Sequence, residues 1–251
     1  MNRSPAQFRI ALVLAAAGTV ATVCLFPYLL ALQPGAFALA PVSPAIVMAA
    51  QTAQSAVVVL LLGWAGLKLG APIGLDAPWL AAWLYGRERP ATSSWWTAAL
   101  AGFVIGALIV ICTTFFGGAL GSGSIAAVPP AWKGVLAAPY GAIVEETICR
   151  AFLMGGIAWL LSRTTGGHVR RWQIAIAIVV AALLFGAGHL QLAGQLASLD
   201  AGVVTRVIGY NALAGCVFGA LYWWRGLEHA MLAHFCADLI LHGLAPVLTA
   251  A

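Results

Sequence analysis

The chain has 251 residues, 63% of them hydrophobic and only 8% charged, with a formal net charge of +5. Soluble domains carry roughly 25% charged residues, so this chain lacks the polar groups to cover a globular surface and reads as an integral membrane protein. Backbone polar groups in lipid must be satisfied within the segment, which leaves helices; the expected fold is an all-α polytopic transmembrane helix bundle. A basic excess would suggest nucleic acid in a soluble protein. Here the basic residues fall between apolar runs, so the bilayer is the expected partner and nucleic acid is not.

The first apolar run, from about Ile10 to Leu32, follows Arg3 and Arg9. It is longer than the roughly 7–15 apolar residues of a signal peptide and is read as a retained first helix. With about 20 residues needed per crossing, seven spans are expected, at 8–32, 44–69, 95–118, 132–161, 172–190, 201–224 and 227–247. The fourth divides if Pro139 opens a new helix, which would make 131–138 a short interfacial or re-entrant lead-in. The segment 76–86 carries Asp76, Trp79, Trp83 and Tyr85 and suits the headgroup level; an eighth span is possible only within 72–92. Gly117-Gly118 with Gly121-Ser122-Gly123 reads as a tight external loop. No internal repeat or soluble domain is visible, so residues 1–251 form a single integral membrane domain.

Basic residues set the orientation. Arg3 and Arg9 precede span one, Lys68, Arg87 and Arg89 flank the second connection, Arg163, Arg170 and Arg171 occupy the fourth and Arg225 the sixth. The connections 33–43, 119–130 and 191–200 carry neither Lys nor Arg. The positive-inside rule then gives a cytoplasmic N-terminus and an external C-terminus. Arginine outnumbers lysine and alanine is abundant, which points to the plasma membrane of a GC-rich bacterium.

The charges inside the spans carry the chemistry. Glu145-Glu146-Thr147-Ile148-Cys149-Arg150 places two carboxylates and a guanidinium in one apolar span. An ionisable residue there is functional by default, because hydrocarbon penalises it unless it is paired or faces water. On a helix Glu146 and Arg150 stand four apart and meet, which leaves Glu145 without that partner and free to act as a general base. The bland alternative is a Glu–Arg clamp between helices. Span five ends in Phe185-Gly186-Ala187-Gly188-His189, and span seven presents His234, Asp238 and His242 on one helical face. Such a stripe faces the bundle interior or a wet cavity. A plain hydrogen-bonded seam is its alternative, and His242 fits that version, with His229 off the stripe.

Missing motifs narrow the reading. There is no HExxH and no GxSxG elbow, and Cys24, Cys112, Cys149, Cys216 and Cys236 are isolated in apolar stretches with no CxxC pair. No motif requires a cofactor or a metal. Glu145, Glu146, His189, His234 and Asp238 are nonetheless suitable ligands for a divalent cation, so that possibility stays open.

Together these residues resemble the CPBP family of membrane proteases, which includes the CAAX prenyl endopeptidases and bacteriocin-processing relatives. Its motifs EExxxR, FxxxH and Hxxx(N/D) match Glu145-Glu146…Arg150, Phe185…His189 and His234…Asp238 in order, over a core of roughly 132–246. The resemblance implies a glutamate-dependent intramembrane endopeptidase acting on a membrane-associated peptide or protein. Glu145 with His189 would activate water, His234 and Asp238 would hold the oxyanion, and Glu146, Arg150 and Phe185 would support the site. Many relatives have Asn where this chain has Asp238, and an ionised aspartate cannot donate a hydrogen bond; the expected role of Asp238 is to orient His234. Depth sets a second condition, because His189 ends span five while His234 lies about 10 Å into span seven. A tilted helix, a shifted boundary or a re-entrant turn must bring them together. Two other functional classes remain: a non-catalytic membrane partner, such as a bacteriocin self-immunity protein, and a proton-coupled transporter using Glu145 and His234. The repeated broken helices of transporters are absent. Neither the substrate's cleavage sequence nor the oligomeric state is written in the chain.

Overall fold

The computed structural model describes residues 4–86, 88, 90, 94–117 and 128–250, and these are helical with short connections and no strand. Helices α1 (Ser4–Leu32), α2 (Pro34–Ala38), α3 (Pro44–Gly70) and α4 (Pro78–Tyr85) are followed by α5 (Trp95–Phe116). Then come α6 (Ala131–Tyr140), α7 (Gly155–Ser162), α8 (Arg171–Gly188), α9 (Leu190–Leu196), α10 (Ala201–Arg225), α11 (Leu227–Asp238) and α12 (Ala245–Ala250). Six helical runs among the described residues are long and apolar enough to cross a membrane. They are Ala6–Leu32, Pro44–Ile73, Trp95–Phe116, Arg171–Leu196, Ala201–Arg225 and Leu227–Leu248. The chain is a polytopic helical bundle, and its outer faces carry exposed Leu12, Leu61, Phe103, Leu108, Val180 and Leu184, as lipid contact requires.

The charged segment does not read as a plain apolar span. It is one helical run from 131 to 162 in which α6 passes into a π-helical stretch, Gly141–Glu145, then a second, Thr147–Met154, then α7. Pro139 therefore lies inside α6 rather than opening a new helix, and the expected lead-in at 131–138 is the first part of this run. Proline removes a backbone donor, and the π-helical widening follows directly after it. A third π-helical stretch, Leu239–Leu244, follows α11. Single-turn π bulges cluster at functional sites, and all three stretches here adjoin the charged residues.

Among the described residues of 72–92, where an eighth span is possible from the sequence, the longest helix is α4, eight residues long, about 12 Å of helix and too short to cross. The Gly-rich loop after Gly117 and the positions of Arg3, Arg87 and Arg89 lie outside the described residues. The run Arg171–Leu196 extends past the expected end at 190, because α8 breaks at His189 and the chain resumes as α9.

Small residues let the inner helices approach closely. A Cβ on Gly106 of α5 would meet the Ala237 carbonyl of α11 at 2.9 Å, and one on Gly215 of α10 would meet Ala182 of α8 at 3.0 Å. Between α1 and α3, Thr22 donates to Ser55 at 2.8 Å, the interhelical polar contact that membrane packing favours. The bundle has two distinct ends. At one, Tyr85 reaches the Ala6 carbonyl and Leu227 N–H donates to the Asp76 carbonyl. At the other, Tyr28 meets His242, Gln33 meets Gln195 and Tyr210 meets the Gly117 carbonyl.

Candidate active site

Glu146 is the anchor. It is fully buried, and its two oxygens are divided: Oε2 accepts from Arg150 Nε at 3.1 Å and Oε1 accepts from His234 Nδ1 at 2.9 Å. Arg150 is equally buried, its guanidinium 5.3 Å from the Phe185 ring centroid and 5.9 Å from that of Phe218. Both distances lie within cation–π range. Phe218 also stacks on the His234 ring at 4.6 Å and 20°, and Phe185 meets it edge-on at 5.8 Å. The imidazole is thus held by a stacked ring, an edge-on ring and one nitrogen.

A carboxylate only accepts hydrogen bonds, so the Glu146 contact places a proton on His234 Nδ1 and leaves Nε2 on the side of Glu145 and Asp238. Glu145 Oε2 is 3.8 Å and Asp238 Oδ2 3.7 Å from that nitrogen. These gaps are too long for direct hydrogen bonds and are the separations a bridging water or substrate oxygen spans. Gly141 makes the space possible: a Cβ there would lie 2.6 Å from Asp238 Oδ2 and 2.7 Å from His234 Nε2. Glu146 is thus at hydrogen-bonding distance from His234, while Asp238, expected to orient that ring, is 3.7 Å from its other nitrogen.

His189 is placed differently from the other three. Its Nδ1 lies 2.9 Å from the Phe185 carbonyl and its ring packs edge-on to Phe185 at 4.7 Å. Among the described residues no carboxylate forms an ion pair with it, whereas His234 gathers three. Phe185 packs against both imidazoles, one at the end of α8 and one in α11. His229, off the stripe, stacks flat on Trp95 at 4.3 Å and 2° near the opposite end of the bundle. Cys149 is buried beside the cluster and all five cysteines are free.

The described residues contain no group of three or more His, Cys, Asp or Glu side chains arranged to hold a metal ion. Sequence reading missed Gly141, Phe218 and Tyr28. Only Gly141 left a signal, a glycine one helical turn before Glu145.

The buried carboxylate–imidazole cluster, with a second carboxylate beside it, thus lies inside an apolar helical bundle of membrane-spanning character. Residues 126–240, a segment that contains all three motifs, match the family described as Type II CAAX prenyl endopeptidase Rce1-like, so this part of the chain is similar to the CAAX protease (CPBP) family. No curated protein and no solved structure matches the chain.

Proposed function

We propose that the chain is an intramembrane endopeptidase that cleaves a peptide or protein at the membrane, with Glu145 as the general base. The observation that carries this is the gap between Glu145 Oε2, Asp238 Oδ2 and His234 Nε2, with its 3.8 and 3.7 Å edges. A water placed there gives a proton to Glu145 as its oxygen attacks the scissile carbonyl. The resulting oxyanion faces His234 Nε2. Because Nδ1 already gives its proton to Glu146, Nε2 donates to the oxyanion only when the ring is doubly protonated. The negative charges of Glu145 and Asp238 offset that second proton. An oxyanion donor of this kind is worth about 2.7–4 kcal/mol. Glu145 then passes its proton to the leaving nitrogen as the C–N bond breaks, giving a carboxylic acid and an amine product.

Glu146 and Arg150 are positioning residues for His234 in this scheme. His189 assists Glu145 from the mouth of the site, reaching the water by turning away from the Phe185 carbonyl. The substrate is a leader peptide, a short signalling peptide or a membrane-anchored regulator, and the setting is a bacterial plasma membrane.

New protein N-termini are to be compared in membranes from cells carrying wild type or Glu145→Gln at matched expression. Termini found only with wild type are expected and would also identify the substrate. Indistinguishable profiles over several growth conditions would sink the peptidase reading in favour of a non-catalytic membrane partner.

A further inference from the structure

His242, the third member of the span-seven stripe, is not used by the mechanism above. Asp238 stands between two imidazoles one helical turn away on either side: Oδ2 is 3.7 Å from His234 Nε2 and Oδ1 is 3.9 Å from His242 Nε2. The other nitrogen of His242, Nδ1, is 3.2 Å from the Tyr28 hydroxyl, and the two rings meet edge-on at 5.5 Å. Tyr28 comes from α1, far away in sequence, so two separate elements fix the His242 ring. Glu146, His234, Asp238, His242 and Tyr28 form one polar path. Side-chain exposure rises along it from 0% at Glu146 through 7% at His234 and 13% at Asp238 to 41% at His242.

Charge balance gives the path a purpose. Glu145, Glu146 and Asp238 supply three negative charges and Arg150 one positive charge. A protonated His234 still leaves one negative charge uncompensated in a low-dielectric bundle, where that imbalance is costly. Glu145 and Asp238 also approach the same nitrogen, where two like charges disfavour each other. The His242 ring flanks Asp238 on its far side, with Nε2 3.9 Å from Oδ1, and so gives that oxygen a partner away from the reacting space.

We propose that His242, braced by Tyr28, is the positioning residue for Asp238, so that the Tyr28–His242–Asp238 chain sets the state of His234 at the reacting centre. The role in catalysis rests on the peptidase reading; the coupling itself does not.

The test uses the full-length protein in detergent micelles with nitrogen-15-labelled histidine, its five histidines assigned by single substitutions. His242→Gln and Tyr28→Phe, which keep much of the local packing, are each expected to shift the ring-nitrogen signals of His234 while leaving those of His168 unchanged. Unchanged His234 signals in both variants would overturn the proposal, whether or not the protein cleaves anything. On a wild-type-dependent substrate, His242→Gln is expected to lower kcat about 10-fold with KM within about twofold, as outer partners of a site residue do. An unaltered kcat would overturn the catalytic part. Absence of any Glu145-dependent cleavage by wild type would instead count against the peptidase reading, with the spectral result still deciding the coupling.

Discussion

Neighbouring side chains on a helix diverge, and Glu145 and Glu146 use that divergence to occupy opposite situations. Glu146 points inward to Arg150 and His234 at full burial, whereas Glu145 keeps 26% exposure and reaches only the outer nitrogen of the same imidazole. On the proposed mechanism, one carboxylate serves structure and the other chemistry. Breaking a buried pair by removing one partner is typically destabilising by about 3–5 kcal/mol, so substitutions at Glu146 or Arg150 mix folding with function. Gly141 offers a cleaner probe. Its missing Cβ is the space occupied by Asp238 Oδ2 and His234 Nε2, at 2.6 and 2.7 Å. His234 cannot give way, since Glu146 and the Phe218 ring hold it. Gly141→Ala is therefore expected to cost about 1–3 kcal/mol of stability, as overpacking does, and to lower Glu145-dependent cleavage at least about tenfold. Thermal denaturation and cleavage measured on the same sample check both; full activity at unchanged stability would show that the crowding is not real.

Among the elements, α4 packs Ala81 and Ala82 inward and is also joined by a clip of hydrogen bonds to the start of α11. Glu228 Oε1 accepts from the Leu80 N–H at 2.8 Å, and Leu227 N–H donates to the Asp76 carbonyl at 3.1 Å. The first turn of α4 is thereby fixed to the turn between α10 and α11. Hydrogen bonds to charged groups contribute about 1.5–3 kcal/mol. Glu228→Ala is expected to lower stability by about that amount and to speed amide hydrogen exchange at Leu80 and Ala81. Cleavage should stay within about twofold of wild type, because the clip lies at the end of the bundle away from His242. Protection unchanged at Leu80 would show that the clip is not what holds α4. The existence of these elements was legible in the sequence because length and apolarity suffice to mark a helix in lipid. Glu145, Glu146, Arg150, His234 and Asp238 were legible because charge in an apolar span has few bland explanations. The π-helical stretches were not, since nothing in Gly141–Glu145 or Thr147–Met154 distinguishes an i+5 from an i+4 ladder. Nor was the pairing of His234 with Glu146, 88 residues away, or the stacking of Phe218, one apolar residue among many. His189 was found by its motif, but its contact with the Phe185 carbonyl and ring was not legible.

Across the whole molecule, the direction in which the site opens follows from where its exposure lies. From buried Glu146 the polar path leads to His242 and Tyr28, at the end of the bundle where Gln33 meets Gln195. The opposite end holds α4 and the start of α1. Counting described basic residues by their place in the chain, Arg9, Lys68, Arg163, Arg170, Arg171 and Arg225 fall at that opposite end, against Lys133 and Arg206 at the end where the site opens. Basic residues favour the cytoplasmic side, so the site is expected to open toward the external half of the bilayer. Single cysteines at exposed Ser198, between α9 and α10, and at exposed His168, between α7 and α8, report the two ends. Ser198→Cys should react with a membrane-impermeant maleimide in intact cells, above the background of the native cysteines. His168→Cys should react only after permeabilisation. That pattern would place the scissile bond of the substrate in its externally facing half, after or during export. The reverse pattern would turn the site toward the cytoplasm and direct the search to proteins cleaved before they leave the cell.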